Sequence, residues 1–370
     1  MAGPSIVIAP GGTGGHINPG LALAEALQHA RADATITFVG TSKGMEGDLI
    51  PKHGFTLDLY DMVQFAGQGW RKALVPPALL RASIQARSIL KKVSADVAIS
   101  MGGYSGVPLV AGARLAGTPA IVHEPGAVPG KANLLAARFT KHVATSFPQT
   151  RFPRSEARFV GYPLRAEMST FDRGALREEA RAAHSLRDDV TMILVSGGSQ
   201  GSLTLNKLAL GLADRWAGRD DVRLLLKAGA RTHEQVAKAL AASPGRDVVE
   251  LVRFIEHMPL AYAAADMAIC RSGAGTVTEL AVAELPSVLV PFPFDEHDEQ
   301  VHNAQPLVDT GSALVVRDED ARPEIVGPWL EERIRDHAII DAMRKGMRDT
   351  VRPHAAADLA AWVLELAGAA

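Results

Sequence analysis

The chain has 370 residues, with 39 Lys and Arg against 41 Asp and Glu and a formal net charge of −2. Its 47% apolar and 22% charged residues describe a folded globular protein, which excludes a disordered or collagen-like chain and gives no general attraction to nucleic acid. At about 150 residues per domain the length points to two domains, and the single cysteine, Cys270, excludes an internal disulfide and fits a reducing compartment.

Met1–Pro10 lacks the basic start of an export signal, so a cytoplasmic protein is expected. Within it, Ser5–Pro10 is a short β-rich run that meets Gly11-Gly12-Thr13-Gly14-Gly15 before a helix-like segment. The loop reads GGTGGH, which is neither GxGxxG nor a phosphate loop with its Lys-Ser/Thr. His16 follows the glycines. It is either a general base, since an imidazole titrates near working pH, or a structural histidine. Trp70–Arg81 mixes apolar bulk with cations, and Arg87, Lys91 and Lys92 follow. This stretch either meets anionic lipid headgroups or forms an amphipathic helix with its leucines in the core.

Val97–Ala113 is uncharged but carries Gly102, Gly103, Gly106, Pro108 and Gly112, so it reads as strand, turn and helix rather than a membrane span. His123-Glu124 ends another apolar run, where a carboxylate binds hydroxyls, takes a proton or caps the next helix. Arg151–Arg158 is poorly periodic and leads to a domain junction near Val160–Leu164; a charged helical segment, Arg173–Ala183, follows. The strand-to-glycine pattern returns at Thr191–Val195 into Ser196–Gly201 and at Asp266–Ile269 into Ser272–Thr276. Ser272–Leu280 offers small residues and two hydroxyls, then Glu279 about one helical turn in. That pattern suits a diphosphate on bare helix N–H groups with Glu279 on ribose, and equally a helix cap with Glu279 favouring the dipole. No His, Cys or Asp cluster has metal-ligand spacing, and no cofactor is expected. The alanine- and leucine-rich Pro353–Ala367 reads as a closing helix.

Four glycine turns after buried strands, with Gly11 and Gly197 about half the chain apart, indicate two doubly wound parallel-sheet α/β domains in tandem. Ligands of such sheets bind beyond the strands' carboxyl ends. If the sheets face each other, the loops converge on one cleft. The expected domains are 1–163, joined by the helix in 350–370, and 164–349.

The motifs GGTGGHINPGLALAEAL (11–27), MGGYSGVP (101–108), HEPGAVPGKAN (123–133), GYPLR (161–165), SGGSQGSLTLN (196–206), FIEHM (254–258), CRSGAGTVTE (270–279) and PFPFDEHDEQVHNA (291–304) resemble, in order, those of the MurG family of bacterial glycosyltransferases. The resemblance implies a GT-B fold, two Rossmann-like domains facing across a cleft. It also implies transfer of N-acetylglucosamine from UDP-N-acetylglucosamine, with inversion, to the 4-hydroxyl of undecaprenyl-diphospho-muramoylpentapeptide. This is the lipid I to lipid II step of peptidoglycan synthesis. The alternatives are another UDP-sugar enzyme of this fold, whether a soluble-acceptor transferase or an epimerase, and a homologue that binds without turnover.

By the same resemblance Ile255 meets uracil through its backbone, with Phe254 and Met258 shaping that pocket. Glu279 holds ribose, Ala274, Gly275, Thr276, Val277 and Thr278 the phosphate region, and Ser199 and Gln200 lie in a phosphate-contacting loop. Arg165 assists the nucleotide and Gln300 binds sugar hydroxyls. Thr13, Gly14 and Gly15 line the donor-facing side of the first domain. His16 and Glu124, the expected catalytic residues, lie near the acceptor with Asn133, His16 being the preferred base. The partners implied are UDP-N-acetylglucosamine, the lipid-linked acceptor and an anionic membrane surface, with no nucleic acid. The location implied is peripheral, on the cytoplasmic face of the bacterial cell membrane, with the stretch from Trp70 to Lys92 as docking face. Three positions depart from the family pattern: Gly126 and Tyr162 where Asn is usual, and Glu299 where His or Gln is usual. They bear on sugar contacts more than on nucleotide binding.

Overall fold

The computed structural model describes residues 3–12, 14–41, 45–61, 75–198, 201–295 and 297–369. Thr13, Ser199, Gln200 and the 70–74 part of the basic-apolar stretch fall outside them. The chain forms two compact units, Met1–Ser169 with Arg352–Ala370, and Thr170–Val351. Residues 164–169 thus belong with the first unit, beyond the boundary expected at 163.

The first unit has strands β1 (Ser5–Ala9), β2 (Thr35–Gly40), β3 (Thr56–Leu59), β4 (Val97–Ser100), β5 (Ala120–Glu124), β6 (His142–Thr145) and β7 (Ala157–Phe159). Its helices are α1 (Gly14–Ala30), α2 (Glu46–Lys52), α3 (Val75–Lys92), α4 (Gly106–Ala116), α5 (Lys131–Ala136) and α6 (Ala166–Ser169), with α15 (Ala355–Leu366) from the chain end. The second unit has β8 (Thr191–Ser196), β9 (Val222–Lys227), β10 (Val249–Val252), β11 (Met267–Cys270), β12 (Ser287–Leu289) and β13 (Ala313–Val315). Its helices are α7 (Arg173–Ala183), α8 (Leu203–Arg215), α9 (His233–Ala241), α10 (Met258–Ala264), α11 (Ala274–Val282), α12 (Glu299–Asp309), α13 (Pro323–Arg335) and α14 (His337–Met347).

Both sheets are parallel, in the orders β3-β2-β1-β4-β5-β6-β7 and β10-β9-β8-β11-β12-β13. Each order runs outward one way from its first strand and then reverses, so the switch points lie between β1 and β4 and between β8 and β11. The four glycine loops follow these four strands. The sheets are buried on both faces. Ile6 and Ile8 pack with Leu21, Leu27, Leu359 and Val363, whereas Val7 and Ala9 face Ala82, Ala86 and Leu90. Strands covered on both sides need no polar alternation, which is why they read as continuous apolar runs.

Two devices fix the frame. In the first unit, Gly161 has φ +91° and lies so close to α15 that an added Cβ would meet Arg352 Cβ at 2.9 Å. Arg158 stands over the Trp362 ring and Arg352 over that of Phe159. In the second, α7 presents Arg173, Arg177 and Arg181 on one face to the carboxyl end of α10. They donate to the carbonyls of Tyr262, Ala263, Ala264 and Ala265 and surround buried Asp266. Asp266 also accepts from Met192 N at 3.0 Å. Burial opposes its charge, but Arg177 and the Met192 amide outweigh it and hold the carboxyl below its usual range. The stretch expected to be irregular, 151–158, runs into the short edge strand β7, whose three residues are too few to show a period.

Candidate functional site

In the first unit the β1 and β4 loops enclose His16, at the start of α1. Gly11 (φ +74°) and Gly102 (φ +101°) have backbones that disfavour any side chain. A Cβ on Gly102 would stand 2.7 Å from His16 Cδ2 and 3.3 Å from Asn133 Nδ2, so the imidazole and that amide share one glycine-lined space. The ring is half-buried, and lost hydration pushes its pKa down to about 4, leaving it neutral near pH 7. The Tyr162 hydroxyl donates to Gly15 O at 3.0 Å, so this departure from the family pattern tethers the glycine loop.

Glu124 ends β5. Its Oε1 accepts from Gly126 N at 2.9 Å, and Oε2 from Gly130 N at 2.9 Å and Asn133 Nδ2 at 2.8 Å. Burial raises its pKa while these donors oppose the rise. Three donors on one carboxylate make it the brace of the 125–133 segment. Asn133 Oδ1 is buried with no partner among the described residues. Beside it, His123 is fully buried, contacts Ser146 Oγ and Gly161 O through Nε2, and is pushed to about 4 by burial. Arg165 lies in an ion pair with Glu25 at 2.7 Å and reaches His53 at 3.3 Å, all within this unit.

In the second unit α11 begins after Gly273, so the N–H groups of residues 274–276 have no helical acceptor. Val277 N already donates to Gly273 O, and Thr278 Oγ1 to Ala274 O at 2.9 Å. The Tyr262 hydroxyl donates to Glu279 Oε2 at 2.8 Å; burial and that carboxylate keep the phenol protonated, so it fixes the carboxylate's direction. Phe254, 64% exposed, and half-buried Ile255 lie between β10 and α10, and half-buried Met258 starts α10. Gln300 Oε1 accepts from Phe292 N at 3.0 Å, which leaves its amide NH₂ as the end that donates to a ligand. Glu299 opens α12.

Three further residues shape this part of the second unit. Tyr262 aims Glu279. Arg271 ties the two loops, donating to Ser202 Oγ at 2.8 Å and pairing with Asp318 at 2.5 Å. Lys227 ends β9. Arg271 carried a signal, being the cation directly after an apolar strand. Lys227 carried the same signal at the end of β9, whereas Tyr262 carried none, because its role comes from its hydrogen bond to Glu279 on the next helix.

Glycine turns at both switch points, with bare helix N–H groups at the strand ends, define a two-domain α/β protein built to hold an anionic, nucleotide-type ligand. Residues 6–145 match the glycosyltransferase family 28 N-terminal domain and 192–350 the glycosyltransferase family 28 C-terminal domain. The UDP-N-acetylglucosamine--N-acetylmuramyl-(pentapeptide) pyrophosphoryl-undecaprenol N-acetylglucosamine transferase of Saccharopolyspora erythraea is 40% identical over 99% of this chain and 95% of its own. The enzyme of the same name from Nocardioides is 37% identical over 98% of both chains. Among solved structures, Acinetobacter baumannii MurG superposes with a TM-score of 0.79 at 27% identity, over 98% of this chain and 99% of that one. The kitacinnamycin glycosyltransferase, at 18% identity, shares the fold with a TM-score of 0.72, over 99% of this chain and 100% of its own. The chain belongs to glycosyltransferase family 28, and its fold class is the expected one, two Rossmann-like parallel-sheet domains of the GT-B type.

Proposed function

We infer that this protein transfers N-acetylglucosamine from UDP-N-acetylglucosamine to the 4-hydroxyl of undecaprenyl-diphospho-N-acetylmuramoyl-pentapeptide, making lipid II from lipid I. The observation that carries this reading is 40% identity, over almost the whole of both chains, to a relative named for that reaction. The second domain takes the donor. Uracil lies at Phe254, Ile255 and Met258, ribose on Glu279, the diphosphate on the amide groups of 274–276 and the sugar at Gln300. Ser199 and Gln200 complete the phosphate loop.

The first domain takes the acceptor beside Gly14, Gly15, His16 and Asn133, with Thr13 in the same loop. His16, neutral through lost hydration, accepts the hydroxyl proton as the oxygen attacks the anomeric carbon and the UDP bond breaks. A single displacement inverts that carbon. Glu124 braces Asn133 and the 125–133 segment and transfers no proton. Arg165 pairs with Glu25 in the carboxyl-terminal half of α1.

The lipid acceptor requires a surface that meets the membrane. Among the described residues no helix is long and apolar enough to cross one. Helix α3 buries Ala82, Ala86 and Leu90 and exposes Leu80 and Ile84 with Arg81, Lys91 and Lys92. One face of α3 is therefore core, and the other, apolar and cationic, is the face assigned here to the membrane. Exposed Leu115 on α4, and Arg114, Arg138, Lys141 and Arg154 around a hollow of about 350 Å³ with no carboxylate in its lining, extend the cationic, apolar character. This face is the proposed contact with anionic lipid at the cytoplasmic side.

The test is UDP release from a panel of UDP-sugars, with and without lipid I. Release confined to UDP-N-acetylglucosamine plus lipid I is expected. Equal release with another sugar, or with a soluble acceptor, would contradict the assignment.

A further inference from the structure

Lys227 is the last residue of β9 and is 8% exposed, yet no carboxylate, carbonyl or hydroxyl among the described residues lies within ion-pair or hydrogen-bond distance of its ammonium. The Phe254 ring faces it, with Nζ 5.9 Å from the centroid. Burying a cation without an anion is costly, and here desolvation draws the ammonium below its ordinary pKa. A cation–π contact at that distance returns only part of the loss. The arrangement is that of a charge whose partner arrives with a ligand.

Its position says which ligand. Lys227 pairs in register with Ser196 of β8, which pairs with Cys270 of β11, so the three residues form one row across the sheet. Residues in register across parallel strands point to the same face. In the chain, Gly197-Gly198 follow Ser196 at the end of β8, and Arg271 and the Ser272–Thr276 turn follow Cys270 at the end of β11. The Gly201 backbone packs against the Ala228 carbonyl, one residue past Lys227, at a distance no Cβ would tolerate. Phe254 lies on one side of the ammonium, and Glu279 is close enough to add to its electrostatic environment. Arg271, the other cation of these loops, is already committed to Asp318.

We propose that Lys227 is a binding residue for the diphosphate of the donor, supplying a full positive charge where the helix N-termini supply only partial ones. This rests on the reading of the second domain as the UDP-sugar site. A charge-assisted contact of this kind is worth roughly tenfold or more in affinity.

The test compares wild type, Lys227→Met, Lys227→Arg and the exposed control Lys238→Met, by calorimetry with UDP and UMP and by competition with uridine. Lys227→Met keeps the apolar stem and removes a buried charge, so its melting temperature should not fall. We expect it to lose about tenfold or more in UDP affinity with uridine binding unchanged, Lys227→Arg to recover part of the loss, and Lys238→Met to match wild type. UMP weakened as much as UDP assigns the contact to the α-phosphate, and UMP unchanged assigns it to the β-phosphate; both support the proposal. Undiminished UDP binding by Lys227→Met, or an equal loss for uridine, would overturn it while leaving the donor site in place. Failure of the wild type to bind UDP would instead overturn the reading on which it rests.

Discussion

His16 and His123 have their pKa values lowered to about 4, and the consequences differ. As the proposed proton acceptor His16 must be neutral, and it stays so until the pH nears 4. The acid limb of kcat/KM in the free enzyme should therefore fall near pH 4 rather than 6.5, and His16→Ala should remove that limb and cut turnover by about 10² or more with UDP affinity unchanged. A limb near 6.5, or full turnover in the variant, would remove His16 as base. His123 is fully buried and away from solvent. A folded-state pKa below the unfolded value means that the unfolded chain binds the extra proton first. Its contribution is complete above about pH 6.5 and lost as pH falls toward 4, amounting to about 3 kcal/mol. Denaturant titrations of wild type and His123→Gln between pH 7 and 4 should converge as pH falls. Glu279→Ala should weaken UDP binding about tenfold through loss of charge-assisted hydrogen bonds, read by calorimetry, and Tyr262→Phe by a smaller factor because it only aims that carboxylate.

The elements around the loops show what could be read from the chain. A buried parallel strand leaves a run of apolar residues, and a turn with positive φ leaves glycine, so β1, β4, β8 and β11 and their loops were legible without any partner in view. Helix α7, expected at Arg173–Ala183, has those bounds. The arginines on its face were read only as charge, because their acceptors, the α10 carbonyls and Asp266, come from a segment about ninety residues away. Glu124 was legible as a strand-end carboxylate, but its three donors, Gly126, Gly130 and Asn133, were not. Replacing Asp266 by Ala leaves buried arginines without their anion and should destabilise the second domain by about 3–5 kcal/mol, measured by urea denaturation. Gly102→Ala places a methyl against the imidazole at a positive φ. It should lower turnover more than UDP affinity, since the proposed donor loops lie in the other domain.

At the scale of the whole molecule, one chain carries two domains of the same strand order, the first closed by its own carboxyl-terminal helix. The repeated glycine loops made the pairing of domains visible from sequence. The exposed apolar and cationic face of α3 was only half visible, because one helix carries both a core face and an exposed face. Arg114→Glu with Arg138→Glu and Lys141→Glu should weaken binding to anionic vesicles by tenfold or more, at roughly 1 kcal/mol per cation near a charged surface, and leave UDP affinity unchanged. Unaltered sedimentation with vesicles would show that the membrane contact lies elsewhere. We infer that UDP-N-acetylglucosamine and the lipid-borne muramoyl hydroxyl react in one displacement. Product analysis of the purified protein with both substrates should show one UDP released for each β-linked disaccharide-lipid formed. An α-linked product, or UDP released with free N-acetylglucosamine and no lipid-linked disaccharide, would contradict it.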